Sequence, residues 1–334
     1  MTTQLLLDIK DLRVNYKVYG GVLQVLDGLN FVVYAGEKVG LVGETGCGKT
    51  STMKAILRIL PMPPAQIAGG EIYFKGKNIL TLGQNELARV RGNGISMIFQ
   101  DPTAALNPVF TVGQQMEAVL KSAAFNGKKL SNRQVKTAAV MALKEVALAD
   151  PERLLKSYPV QLSGGMRQRV CIAMALSTKP ELLIADEPGT SLDVTIQDQV
   201  LRLLHNLVEE KNTSVILITH TLGVVRQVTD RVYVMYAGNM VESAPTPQLF
   251  ADPRHPYTQG LMEAVPRLSG GGVADGIPGR IPNYLNPPLG CRFHPRCPQV
   301  MDICRQEKPP AYPVAAGHQV ACFLYETKEV KGKE

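Results

Sequence analysis

The chain has 334 residues, enough for about two domains, and its 45% hydrophobic content excludes an intrinsically disordered protein. The formal net charge of +7 is dispersed, and the sequence has no Trp and no aromatic residues interleaved with a basic stripe, which argues against a nucleic-acid binder. No apolar run reaches the ~20 residues of a membrane helix. Asp8 and Lys10 interrupt the early segment QLLLDIK, so a signal peptide or anchor is not expected there and a cytoplasmic protein is.

In chain order, the first strong signal is EKVGLVGETGCGKTST. KVGLV reads as a buried strand, and KTSTMKAILRIL carries apolar residues at helical spacing. Between them Gly43-Glu44-Thr45-Gly46-Cys47-Gly48-Lys49-Thr50 fits G-x-x-x-x-G-K-[ST], the phosphate loop, or P-loop. The glycines let backbone N–H groups point inward, the helix N-terminus adds a positive dipole end, and Lys49 suits the β- and γ-phosphates. The Thr50 hydroxyl suits Mg²⁺. Cys47 needs only to be small. MIFQDP then reads as a strand ending at Gln100, a neutral group suited to Mg²⁺ or an attacking water.

Residues 101–180 change character. TVGQQMEAVLKSAA and RQVKTAAVMALKEVALA have helical periodicity, and GKKLSNRQVK reads as a solvated loop and helix start. QLSGGMRQRVCIAMALS follows, with Ser163 as an N-cap and Gly164 and Gly165 exposing N–H groups at a helix start. Taken alone, this is either an ordinary capped helix or a second anion site, which a dimer would use to cap the γ-phosphate on its partner. Cys171 on that helix reads as a buried, inert thiol.

ELLIADEP is an apolar strand ending in Asp186-Glu187, an acid to hold Mg²⁺ and a general base to polarise water. SLD, with Asp193, follows closely. SVILITHTLGVV is a β-branched strand leading to His220, which is either structural or a sensor of the γ-phosphate. Proline density then rises through SAPTPQLFADPRHPYTQGLMEAVPRL and GIPGRIPNYLNPPLG, the sign of an irregular appendage. That appendage carries Cys291, Cys297, Cys304 and Cys322 in a C-x5-C-x6-C-x17-C pattern. Four thiolates suit Zn²⁺ or a [4Fe–4S] cluster, but the spacing selects neither over free thiols. With little apolar sequence to bury, the appendage is expected to gain from a metal cross-link. KEVKGKE reads as a frayed terminus.

The ordered set GETGCGKT, Gln100, LSGGMRQR, LLIADEP, SLD and His220 resembles the ATP-binding cassette (ABC) family. DPRHPYTQGLMEAVP, IPNYLNPPLGCRFHPRCP and MIFQDPTAALNPVFTVG extend the likeness to ATPase subunits of dipeptide/oligopeptide importers, in particular the first of the two, over nearly the whole chain. The resemblance implies an α/β P-loop NTPase fold, with a mixed-sheet core at 1–100 and 181–250, a helical subdomain at 101–180 and a C-terminal extension at 251–334. It implies ATP bound by Gly43 to Ser51, by Gln100, by signature residues Ser163 to Gln168 and by Asp193. It implies Mg²⁺ on Thr50, Gln100 and Asp186, catalysis by Glu187, His220 and Gln100, and an adenine-stacking Tyr16 (Tyr19 the alternative). It further implies a [4Fe–4S] cluster on the four cysteines, with Zn²⁺ as the alternative. The implied partners are a paralogous ATP-binding subunit (a homodimer being the alternative), two membrane permease subunits and, indirectly, an extracytoplasmic peptide-binding protein, with no nucleic acid. The implied location is the cytoplasmic face of the membrane. Gly189, Thr221, Thr45 and Thr50 depart from the family's usual Thr, Asp and serines, and none removes a catalytic group.

Overall fold

The computed structural model describes residues 4–123, 130–264 and 276–326. The stretch Gly127–Lys129 of the basic segment and the terminal KEVKGKE lie outside the described residues. The chain divides into two compact bodies, one from Met1–Leu6, Val33–Lys38 and Lys77–Thr219, the other from Leu7–Val32, Val39–Gly76 and His220–Glu334.

The first body is built on parallel strands Ile95–Ile98, Leu182–Asp186 and Ser214–Ile218, with Met97 opposite Ile184 and Ile184 opposite Ile216. The middle strand reads LLIAD and is buried at all five positions, as a parallel strand covered on both faces must be. Helices Val112–Ser122, Asn132–Glu145, Gly164–Ser177 and Val194–Lys211 belong to the same body. Thr111 with Gln114, and Ser131 with Gln134, form reciprocal capping boxes that satisfy orphan donors at two of these helix starts. Periodicity predicts the second of these helices to run through Ala149. It stops at Glu145, because Ala147 takes a left-handed φ of 54°. Arg169 donates to the freed carbonyl of Val146 at 2.9 Å.

The second body contains a mixed sheet ordered Tyr312–Ala315, His318–Val320, Asn239–Pro245, Arg231–Tyr236, Lys38–Val42. The last two strands run parallel, with Leu41 opposite Tyr233, and the other pairings are antiparallel. A separate antiparallel pairing sets Leu5–Val18 against Ala65–Phe74, with Ile9 opposite Ile72. The P-loop helix, Lys49–Ile56, is shorter than its apolar pattern predicts, since Arg58 adopts a left-handed φ of 50°.

The appendage is not as irregular as its prolines suggest. YPVAAGHQV folds into a hairpin that turns at Gly317 (φ 70°) and extends the sheet edge. Nor does it lack a core. Tyr257 and Phe293 are buried against Tyr236, with Tyr236–Tyr257, Tyr236–Phe293 and Tyr257–Phe293 ring centroids 4.7, 5.0 and 5.4 Å apart. Such tilted aromatic contacts add to area burial. The apolar cluster that holds the appendage also takes in Val42, Val234 and Leu249. The appendage's few apolar residues are large, and they converge on the sheet.

Candidate functional site

In the second body, strand Lys38–Val42 delivers the chain to Gly43, whose φ is 151°. A Cβ there would lie 2.1 Å from the Met235 carbonyl oxygen, so only glycine fits. Gly48 (φ 109°) caps the helix that follows. Lys49 is only 6% exposed. Its ammonium is folded over the loop and donates to the carbonyls of Gly43 (2.7 Å) and Glu44 (3.0 Å). Cys47 is buried and its carbonyl accepts from the Gly238 N–H at 2.8 Å, while burial pushes its thiol pKa up. These facts make Cys47 a packing residue.

Tyr16 places its hydroxyl 3.2 Å from Ser51 Oγ, beside the P-loop helix. Tyr19 is fully exposed. His220 lines a cavity of about 660 Å³ together with Gly43, Glu44 and Thr45, so the folded body brings His220 to the phosphate loop. Leu261 and Ile277 of the appendage wall the same cavity.

Three further contacts to the loop come from the appendage. The Glu44 N–H donates to the Tyr257 hydroxyl at 2.9 Å, the Tyr284 hydroxyl donates to the Gly46 carbonyl at 2.8 Å, and Arg296 pairs with the Glu44 carboxylate at 2.9 Å. The sequence marks these residues only as members of similar segments. Nothing in their local pattern points to the loop.

In the first body, Asp186 is buried at the end of its strand. Glu187 follows with a left-handed φ of 47°, rare for a residue with a side chain. The strain is held by backbone bonds from the Glu187 N–H to Ile218 (2.9 Å) and from the Gly189 N–H to the Glu187 carbonyl (2.7 Å). Gln100 Nε2 donates to Glu187 Oε2 at 2.9 Å, which joins two residues 87 apart in sequence. Ser163 Oγ accepts from the Met166 N–H at 3.3 Å, and Asp193 caps the next long helix by accepting from the Ile196 N–H at 3.0 Å. The two are neighbours: a Cβ on Gly165 would meet Ile196 at 2.8 Å, and one on Gly164 would meet Leu192 at 3.3 Å. Gln168 is fully buried, and among the described residues neither of its amide atoms has a hydrogen-bond partner. The helix turns it inward.

The four tail cysteines are free thiols, with Cys304 and Cys322 buried and Cys291 and Cys297 partly so. The Cys291 N–H donates to the Cys304 carbonyl at 2.9 Å. Burial, with a smaller push from the other thiols, raises Cys291 and Cys322 to about 11. Yet no three His, Cys, Asp or Glu side chains among the described residues form a group able to hold a metal ion. The donor chemistry suits a [4Fe–4S] cluster or Zn²⁺, and the expectation of a cluster gains no support here. Burial raises the thiols of Cys291, Cys297 and Cys322.

Residues 26–190 match the family described as ABC transporter, and residues 241–304 match the oligopeptide/dipeptide transporter C-terminal region. The chain is 46% identical to the oligopeptide transport ATP-binding protein OppD of Bacillus subtilis over 96% of its own length and 88% of the relative's. It belongs to the ABC transporter family. The dipeptide transport ATP-binding protein DppD of the same organism is 45% identical, covering 96% of this chain and 95% of that one. Among solved structures, a dimeric ATP-binding cassette in a post-hydrolysis state bound to ADP and Pi matches with a TM-score of 0.62 and 27% identity, over 72% of this chain and 98% of that one. The fold is thus the α/β ABC cassette, an ATPase architecture. No helix among the described residues is long and apolar enough to cross a membrane.

Proposed function

We propose that this ABC protein is the ATP-hydrolysing subunit that powers import of dipeptides or oligopeptides. The observation that carries this reading is the P-loop, an open backbone cradle with Lys49 folded over it, in a chain that continues into the peptide-transporter C-terminal region. The cradle's N–H groups and Lys49 bind the phosphates of ATP. Tyr16, rather than the exposed Tyr19, stacks on the adenine. Glu187, oriented by Gln100, takes the proton of the attacking water, and His220 senses the γ-phosphate. Thr50, Gln100 and Asp186 offer the hard oxygen donors that fit Mg²⁺, which when bound supplies charge neutralisation at the phosphates. Ser163, Gly164, Gly165 and Asp193 face the nucleotide of a second cassette.

That second cassette is a paralogous subunit in a nucleotide-sandwich dimer, seated on two permease subunits at the cytoplasmic face of the membrane and served by an extracytoplasmic peptide-binding protein. The surface for the permeases includes the exposed Val109 and Phe110 beside the segment that follows Gln100. The domain division into a core at 1–100 and 181–250, a helical subdomain at 101–180 and an extension at 251–334 is part of this proposal. A [4Fe–4S] cluster on Cys291, Cys297, Cys304 and Cys322, with Zn²⁺ as the alternative, is part of this proposal on the family resemblance alone. The ATPase reading does not depend on it.

The test is turnover in the purified full chain with its partners. Glu187→Gln is expected to bind ATP and lose at least ~10²-fold in hydrolysis. Full turnover in that variant removes Glu187 from the role.

A further inference from the structure

Glu44 occupies one of the four free positions of the phosphate loop. Backbone N–H binding of phosphate asks for no acid there, and a carboxylate beside a triphosphate repels it. The C-terminal extension supplies the compensating charge. The Arg296 side chain is 6% exposed, against 28% for Glu44. Its guanidinium is fixed by four acceptors: the carbonyls of Pro278 (2.8 Å) and Ile277 (2.9 Å), the Tyr236 hydroxyl (3.3 Å) and the Glu44 carboxylate (2.9 Å). A planar, fully committed guanidinium of this kind does not swing away as a solvated lysine would. Tyr257 and Tyr284 hold the same loop through the Glu44 N–H and the Gly46 carbonyl. Charge, donor and acceptor are each engaged from the extension.

We infer that Arg296 is a positioning residue for nucleotide binding: it orients and neutralises Glu44, and through it the C-terminal extension sets the P-loop's affinity for nucleoside triphosphate. The inference rests on the reading that the loop holds ATP. It differs from simple docking of the tail, because a charge effect grows with the number of phosphates whereas a packing effect does not.

The experiment measures ATP and ADP affinity by displacement of a fluorescent nucleotide analogue from the full-length chain, for wild type, Arg296→Gln, Glu44→Gln and the double variant. Arg296→Gln is expected to weaken ATP about tenfold and ADP less, with the difference shrinking as salt rises. In turnover assays the loss appears in KM for ATP rather than in kcat. Glu44→Gln, which leaves Arg296 unopposed, tightens ATP about threefold, and the double variant returns to within about twofold of wild type. Equal losses for ATP and ADP without rescue in the double variant reduce Arg296 to a docking residue and overturn the inference. So does an unchanged ATP affinity in Glu44→Gln, an arm that stands even if Arg296→Gln does not fold. A wild-type chain that binds no more ATP than Lys49→Ala sinks the underlying ATP reading instead.

Discussion

Glu187 sits where its own chemistry resists: it holds a left-handed backbone, while Gln100 donates to its carboxylate at 2.9 Å. A residue kept in such a conformation by its neighbours marks a site where geometry is preferred to comfort. Gly43 is the complementary case. With 2.1 Å to the Met235 oxygen for any added Cβ, Gly43→Ala is expected to displace the loop and abolish nucleotide binding in the displacement assay while the rest of the chain still folds. His255 gives a pH signature. Its Nδ1 accepts from the Tyr257 N–H at 3.0 Å, and burial pushes the imidazole down to about 3. The unfolded chain takes up this proton near 6.5 and the folded chain does not, so stability falls as pH drops below 6.5 and keeps falling to about 3. At pH 5.5 the loss from this group is about 1.4 kcal/mol. His255→Asn keeps a side chain able to cap the helix Pro256–Glu263 and removes the titration. Its melting temperature is expected to drop less than that of wild type between pH 7.5 and 5.5; identical drops would refute the assignment.

The decisive element is the tail. The hairpin Tyr312–Ala315/His318–Val320 covers the edge of strand Asn239–Pro245, and Phe293 packs against both Tyr236 and Tyr257. A sheet edge stripped of its cover pairs with other chains. Truncation after residue 310 is accordingly expected to give aggregated protein in size-exclusion chromatography. Phe293→Ala is expected to cost about 3–5 kcal/mol in denaturant unfolding, the usual range for an emptied aromatic site. A cost below about 1 kcal/mol would show that the cluster is not what anchors the appendage.

At the scale of the whole molecule, a single chain has one P-loop and one signature helix, and the proposed sandwich needs two of each. Glu187→Gln with ATP is expected to double the mass in light scattering, with the paralogous subunit present, and to return to monomers on nucleotide removal. A mass that never depends on ATP counts against the sandwich. Iron, zinc and acid-labile sulfide in anaerobically purified chain decide the tail thiols. If the cluster forms, iron and sulfide are near stoichiometric and vanish in Cys297→Ser. If they are absent from wild type, the cysteines are packing residues, consistent with the burial that raises the thiols of Cys291, Cys297 and Cys322.

What the sequence determined by itself is local. The P-loop, the signature N-cap, the acidic strand exit and the strand before His220 each follow from residue spacing within about 20 positions, because turn chemistry and hydrophobic period act over that range. The family resemblance rests on the same stretches. The tertiary structure decided what pairs across long separations. Arg296 reaches Glu44 across 252 residues, Tyr284 reaches Gly46 across 238, and a proline-rich tail completes a sheet begun at Lys38. No local period encodes such meetings, since strand order, not spacing, sets which distant side chains face each other. The same reason turned Gln168 inward: a motif names residues, and the helix face that carries them decides where each side chain goes.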